Sequence, residues 1–437
     1  MHTIEPLAWY GALIGLFIAI VLILKKINPV YSLFLGAIIG AIIGGANLDQ
    51  TLVLLTSGTQ SLMGTVIRVL AAGVLAGVMM ESGAAETIAQ AIVKKMGESK
   101  AILALALATM IITAVGVFIP VAVLIVAPIA LSVGNKMGIS KLALLLALSG
   151  GGKAGNIISP NPNTIAAANG FHLNLSDVMI AGFIPALCGL LMTVIVASLL
   201  KNKGIKVSEG EAAAAYGTQS AKREKVYPSL GKAIVAPAVA VILLMINPIG
   251  SIFHISSLSS FKLDALYVLP IAGVIGLIAM GKKDKIIAYT TSGLEKMTAT
   301  VLILIGAGSI AGLIAASDLS VQVVQLINLM GISGTFLAPI SGILMAAATA
   351  STSTGVILST STFGHAISNI GIAPIASAVM MHTGATVIDS LPQGNYFHVT
   401  AQSMNMSIKQ RMCLLPYEAI VGGTMTLVAT VLYGFIF

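Results

Sequence analysis

Long apolar runs joined by short polar connections dominate this chain. Stretches near the ~20 residues that cross a bilayer as a helix fall at 7–24, 30–46, 62–80, 141–170, 178–200, 231–249, 265–281, 297–315, 372–400 and 415–437. The runs at 141–170 and 372–400 are too long and too interrupted to be simple helices. Two further apolar stretches, 101–135 and 335–370, break near their middles. The first breaks at Phe118-Ile119-Pro120, and the second at Thr349-Ala350-Ser351-Thr352-Ser353-Thr354-Gly355. Each reads as a re-entrant hairpin, because lipid tolerates broken backbone only where it lines a protein-walled cavity. The pattern predicts an all-α polytopic membrane protein that moves a small solute.

Composition agrees with that reading. Of 437 residues, 57% are hydrophobic and 9% charged, against about 25% charged in soluble domains. The 45 glycines suit helices that approach closely in lipid. A net charge of +8 would suggest nucleic acid, but the basic residues sit in short connections, as the positive-inside rule expects. Cys188 and Cys413 fall near the ends of apolar runs and read as packing residues. Met1 to Trp9 lacks a basic n-region and a cleavage site, so the first run is expected to be a span.

Charge also predicts orientation. With the N-terminus outside and each hairpin making no net crossing, 20 of the 23 basic residues lie inside. The exceptions are Lys262 in an outer loop, Arg68 near the outer interface and Lys153 within the membrane. Both termini are then outside. The polar loop 201–229, with Glu209, Glu211, Lys222, Arg223, Glu224 and Lys225, reads as a cytoplasmic linker.

The two halves resemble each other. At an offset of 235, Gly58 falls on Gly293, Gly73 on Gly308 and Gly77 on Gly312. Later, at an offset of 230, Ser159 falls on Asp389 and Pro162 on Pro392. Each half holds five crossings and one hairpin, an odd number, so the second half enters from the opposite side. The expected division is an N-terminal repeat at 1–200, the linker at 201–229 and an inverted repeat at 230–437. Such repeats are typical of secondary transporters, whose sites lie near the midplane where helices break.

Two broken segments are candidate sites. In Gly150 to Thr164, Pro160 and Pro162 cannot both lie in a regular helix. The unwound backbone is flanked by Asn156, Ser159, Asn161, Asn163 and Thr164 as donors and acceptors, with Lys153 inside the span. The restarting helix would aim a partly positive N-terminus at the break, which suits a carboxylate. An ordinary loop between two shorter helices is the bland alternative. The glycine run lacks the spacing of a nucleotide fingerprint.

The second segment, His382 to His398, holds Thr386, Asp389, Gln393 and Asn395. Asp389 is the only acid that this reading places deep in the membrane, and an intramembrane acid is a functional candidate by default. It is the first candidate proton carrier, with His382 beside it; a capping Asp, or one paired with Lys153, is the alternative. Ser351, Thr352 and Ser353 add hydroxyls at the second hairpin tip. Glu81 and Glu418 fall near expected interfaces and read as solvated. The histidines show no metal-ligand spacing, and no cofactor is implied.

These residues resemble the gluconate permeases, bacterial proton-coupled symporters for sugar acids and related hydroxy or amino acids. The carrying stretches are Phe118-Ile-Pro120 through Ala127-Pro128-Ile129-Ala130, Gly138 to Leu145, Ser159-Pro-Asn-Pro-Asn-Thr164, and Gly384-Ala-Thr-Val-Ile-Asp389-Ser-Leu-Pro392. The resemblance implies an inner-membrane symporter, a dimeric scaffold and an elevator movement of the hairpin-bearing domain. The family often places a His before Gly after this proline, where this chain has Gln393. The expected partners are a small organic acid, a proton and the bilayer, with no nucleic acid. A sodium-coupled carboxylate or D-serine-like amino-acid symporter is the alternative.

Overall fold

The computed structural model describes residues 6–213, 227–259, 263–330 and 333–436. Expectations placed on Lys262 and on residues 214–226 of the linker, including Lys222, Arg223, Glu224 and Lys225, lie outside the described residues. Among the described residues the protein is helical, with two isolated β-bridges.

The first helices are α1 (Trp9–Leu24), α2 (Pro29–Ile43), α3 (Leu48–Ser61), α4 (Met63–Glu81) and α5 (Ala84–Met96). Helices α1 and α2 pair through glycines. A Cβ on Gly15 would lie 2.6 Å from the Gly36 carbonyl oxygen, so only glycine lets the backbones meet. Helix α3 was not expected as a separate element; Asn47 and Gln50 start it with a capping box.

Next come α6 (Ala101–Ala114), α7 (Ile119–Met137), α8 (Lys141–Ile157), α9 (Pro162–Gly170), α10 (Leu175–Ala181) and α11 (Phe183–Leu200). Helices α6 and α7 turn back on each other at 115–118, with Phe118 as N-cap and Pro120 in the first turn of α7. Helix α8 runs beside both and is buried from Ala143 to Ile157. A Cβ on Gly151 or Gly155 would sit 2.1 or 2.0 Å from carbonyl oxygens of α6, those of Ala106 and Met110. The glycine run is therefore a close-packing surface.

After the linker come α12 (Val235–Ile252), α13 (Ala265–Ala279), α14 (Ile286–Ala315), α15 (Leu319–Met330), α16 (Leu337–Thr349) and α17 (Thr352–Asn369). The chain closes with α18 (Pro374–Gly384), α19 (Asn395–Ser403), α20 (Ile408–Met412) and α21 (Leu415–Val431). Helices α16 and α17 form an antiparallel hairpin. Ser359 donates to the Ser341 carbonyl at 2.9 Å, and Gly355 faces Ala346 across the turn. The tip is Ala350, in the left-handed region at φ 48°, followed by Ser351 as N-cap.

Helix α14 has 30 residues, about 45 Å at 1.5 Å per residue. It runs antiparallel to α3 and α4. A Cβ on Gly58 would meet the Gly308 carbonyl oxygen at 2.1 Å, and one on Gly77 would meet Gly293 Cα at 2.5 Å.

Among the described residues seven helices are long and apolar enough to cross a membrane, or eight if the bent pair α5–α6 is one span. The expected spans 7–24, 30–46 and 265–281 fold as helices of 16, 15 and 15 residues, the last two because their ends go into the turns at Gly44–Gly45 and Met280–Gly281. The expected 297–315 begins earlier, at Ile286, since a more polar first part continues the same helix. The 178–200 run divides at Gly182.

Two groups of helices emerge. One holds α1–α4 and α12–α14; the other holds α6–α9, α11, α16–α19 and α21. They meet where α17 packs against α14 and α9 against α4.

Candidate functional site

Both hairpin tips converge on both helix breaks. They enclose a cavity of about 630 Å³. Its wall includes Phe118, Ile119 and Pro120 from the first tip and Thr349 to Ser353 from the second. Asn156 and Asn163 come from the first break, and Asp389 and Gln393 to Tyr396 from the second, joined by His398. The α1–α2 turn, Ile23 and Lys26 to Pro29, completes the lining.

Helices α7, α9, α17 and α19 all begin at this cavity, as Pro120, Asn163, Thr352 and Asn395 among its lining show. Helix starts carry unsatisfied N–H groups and partial positive charge. One carbonyl at each break is occupied. Asn161 Nδ2 donates to the Asn156 carbonyl at 2.6 Å, and Lys153 Nζ to the Thr386 carbonyl at 2.7 Å.

At the second break Asp389 joins three elements. Its Oδ1 accepts from Lys153 Nζ of α8 at 2.6 Å and from Ser390 Oγ at 2.8 Å. Its Oδ2 accepts from Thr352 Oγ1, at the start of α17, at 2.6 Å. Lys153 and Asp389 side chains are 0% and 3% exposed. The tip is also fastened by Gln393 Nε2, which donates to the Ala347 carbonyl at 3.1 Å. Gly394 lies flush on Ala350, where a Cβ would come within 2.4 Å of the Ala350 carbonyl oxygen.

The first break is held by Asn161. Its Oδ1 accepts from the Asn163 and Thr164 amides at 2.8 and 3.1 Å, capping α9. Its Nδ2 also bonds Asn156 Oδ1 at 2.5 Å. This leaves Asn156 Nδ2 and Asn163 Oδ1 buried without hydrogen-bond partners. Both residues belong to the cavity wall, so each brings an unused bonding group to it.

Of the residues expected from sequence, Asn156, Asn163, Ser351, Thr352, Ser353, Asp389, Gln393 and Asn395 line the cavity. Lys153, Ser159, Asn161, Thr164, His382 and Thr386 are buried outside its lining. Neither ring nitrogen of His382 has a hydrogen-bond partner. His365 lines a second cavity of about 660 Å³ between α3, α9, α14 and α17, and bonds Asn369 at 3.1 Å.

Two residues read as solvated or loop-borne are neither. Glu418 and Arg411 are 1% and 0% exposed and form a fork-to-fork pair, Nη1–Oε2 2.7 Å and Nη2–Oε1 3.0 Å. Glu418 therefore joins Asp389 as a buried acid. Arg411 also donates from Nε to Thr400 Oγ1 at 2.9 Å and covers the rings of Phe397 and Tyr396. The sequence signal was there: an acid inside the final apolar run, seven residues after an arginine. Glu81 is partly exposed and bonds Lys296 at 2.7 Å. Arg68 pairs with Asp264 at 2.6 Å.

Comparisons with known proteins agree with this architecture. A family model described as GntP family permease matches residues 7–436. An uncharacterized transporter of Haemophilus influenzae is 49% identical over 424 residues, 97% of each chain. A gluconate permease of Zymomonas mobilis is 24% identical over 94% of each chain. Among solved structures, the YdaH transporter of Alcanivorax borkumensis superposes with a TM-score of 0.61 at 15% identity, covering 90% of each chain; at that identity the likeness speaks for the fold alone. With a family match along nearly its whole length and a transporter relative sharing half its residues, this chain belongs to the GntP family of permeases and is a multi-pass membrane transporter, not an enzyme.

Proposed function

We propose that the protein is a proton-coupled symporter that takes up a small hydroxylated carboxylate, such as gluconate, across the bacterial inner membrane. The carrying observation is the cavity onto which four helix N-termini open while the carbonyls of Asn156 and Thr386 are already bonded. Such a lining favours an anion. The unbonded groups of Asn156 and Asn163 and the hydroxyls of Ser351, Thr352 and Ser353 suit a hydroxylated chain. A relative named gluconate permease supports the substrate class. Asp389 is the proposed proton carrier and Lys153 its charge partner.

The working framework is two inverted repeats, 1–200 and 230–437, joined by the cytoplasmic linker 201–229, with both termini outside. The glycine contacts support it. Exchanging Gly58 with Gly293, Gly73 with Gly308 and Gly77 with Gly312 turns the Gly77–Gly293 contact into the Gly312–Gly58 contact. That self-mapping across antiparallel helices is what a two-fold axis in the membrane plane produces. The re-entrant hairpins, the elevator movement and the homodimer belong to the same proposal.

The test is uptake of radiolabelled gluconate into proteoliposomes with an imposed pH gradient and no sodium. The expected result is accumulation abolished by a protonophore. Accumulation that requires sodium, or mere equilibration, would reject proton symport.

A further inference from the structure

Lys153 is completely buried, and among the described residues its only ion-pair partner is Asp389. The ammonium otherwise bonds the neutral Thr386 carbonyl. Asp389, by contrast, lines the cavity. The fixed cation thus stands behind the carboxyl, and the space for substrate in front of it.

The other charged and titratable groups nearby do not replace Asp389 as a counterion. Tyr396 carries a phenol, which is a neutral group near pH 7. Arg411 and Glu418 neutralise each other. His398 and Lys26, at the cavity wall, are exposed and bring no negative charge. His382 is buried in α18 and makes no hydrogen bond.

A buried charge left without a partner costs several kcal/mol. When Asp389 takes up a proton, Lys153 loses its countercharge. An anion arriving in the cavity restores it, and the neutral carboxyl then has an O–H to donate to that anion. Before binding the site holds one positive and one negative charge. Afterwards it holds the Lys153 ammonium, a neutral Asp389 and the substrate carboxylate. The net charge is unchanged. A zwitterion cannot do this, because its own ammonium adds back the charge that its carboxylate removes.

We infer that Lys153 is a fixed countercharge that selects net monoanionic carboxylates over zwitterionic amino acids and sets coupling at one proton per substrate, with no net charge moved. The inference rests on the proton-symport reading. It extends that reading to substrate class and stoichiometry.

The experiment uses the full-length protein in proteoliposomes with gluconate and D-serine as probes, and reads uptake and transported charge together. Wild type should accumulate gluconate in proportion to the pH gradient, with a rate independent of imposed membrane potential. D-serine should compete at least 100-fold more weakly, about the factor that one unit charge at ~6 Å supplies at an effective dielectric of ~20. Asp389→Asn should lose gradient-driven accumulation, and the net gluconate flux that remains should become potential-dependent. Removing both charges in Lys153→Met/Asp389→Asn leaves no unpaired ion, and should bring gluconate and D-serine within about 10-fold of each other. Uptake by wild type that ignores the proton gradient would overturn the symport reading and this inference with it. Proton-driven uptake that carries current, accepts D-serine equally or survives Asp389→Asn would overturn the countercharge alone.

Discussion

Replacing Arg411 with Met leaves the Glu418 carboxylate buried without its partner. In the native chain both oxygens of Glu418 accept from the guanidinium at 2.7 and 3.0 Å, and the two side chains are almost fully enclosed. Breaking such a pair from one side costs about 3–5 kcal/mol, most of it the unpaired charge that remains. The stacking of Arg411 over Phe397, 5.2 Å from the ring centroid and desolvated, adds about 2 kcal/mol. The total is large beside the 5–15 kcal/mol that typically holds a domain folded. The measurement is equilibrium unfolding in mixed detergent micelles for wild type, Arg411→Met, Glu418→Leu and the double variant. Each single variant should fall sharply and the double variant should recover most of the loss, since an apolar pair of similar volume does not bury a lone ion. Arg411→Lys should lie between, because it keeps the charge but not the fork. Helix α19 carries Asn395 and Tyr396 into the cavity, so the single variants should also raise the KM for uptake. If Arg411→Met matches wild-type stability, or the double variant is no better than the singles, the pair does not brace this part of the protein.

Two asparagines two residues apart should behave differently. Asn161→Ala removes the cap of α9 and should lower stability by about 1 kcal/mol in the same unfolding assay, whereas Asn163→Ala, at the cavity wall, should raise the KM with little loss of stability. Glu211 should make the linker attachment acid-sensitive. Burial raises its carboxyl pKa, but bonds from Lys141 and Ser208 outweigh this and hold it below the ordinary range. A lowered pKa contributes stability above the unfolded value of ~4.3 and loses it as pH falls through the folded value. Hydrogen-exchange protection of 208–213, corrected for intrinsic rates, should therefore hold at pH 5 and fall below about pH 4, and Glu211→Gln should remove that dependence.

Much of the site was legible because broken helices leave marks on local sequence. Pro160 and Pro162 forbid a continuous helix, and the hydroxyl run at 349–355 marks a second break. Asp389 and Lys153 were conspicuous as charges inside apolar runs. What each side chain does there was not legible. Asn161 and Asn163 belong to one motif, yet one is spent on its own helix start and the other faces the cavity. Glu418 looked solvated because its run begins only three residues earlier, and its partner lies beyond the intervening turn.

By itself the sequence determined the membrane-spanning character, the broken segments and the likeness between halves. Hydropathy, proline chemistry and charge placement act over short stretches and need no partner. Only the tertiary structure decided that two hairpin tips and two breaks share one cavity, that α8 is enclosed on all sides, and that Lys153 reaches Asp389 across 236 positions. Those outcomes depend on which helices meet, and close approach at glycines such as Gly58 and Gly293 sets that from both sides of the contact.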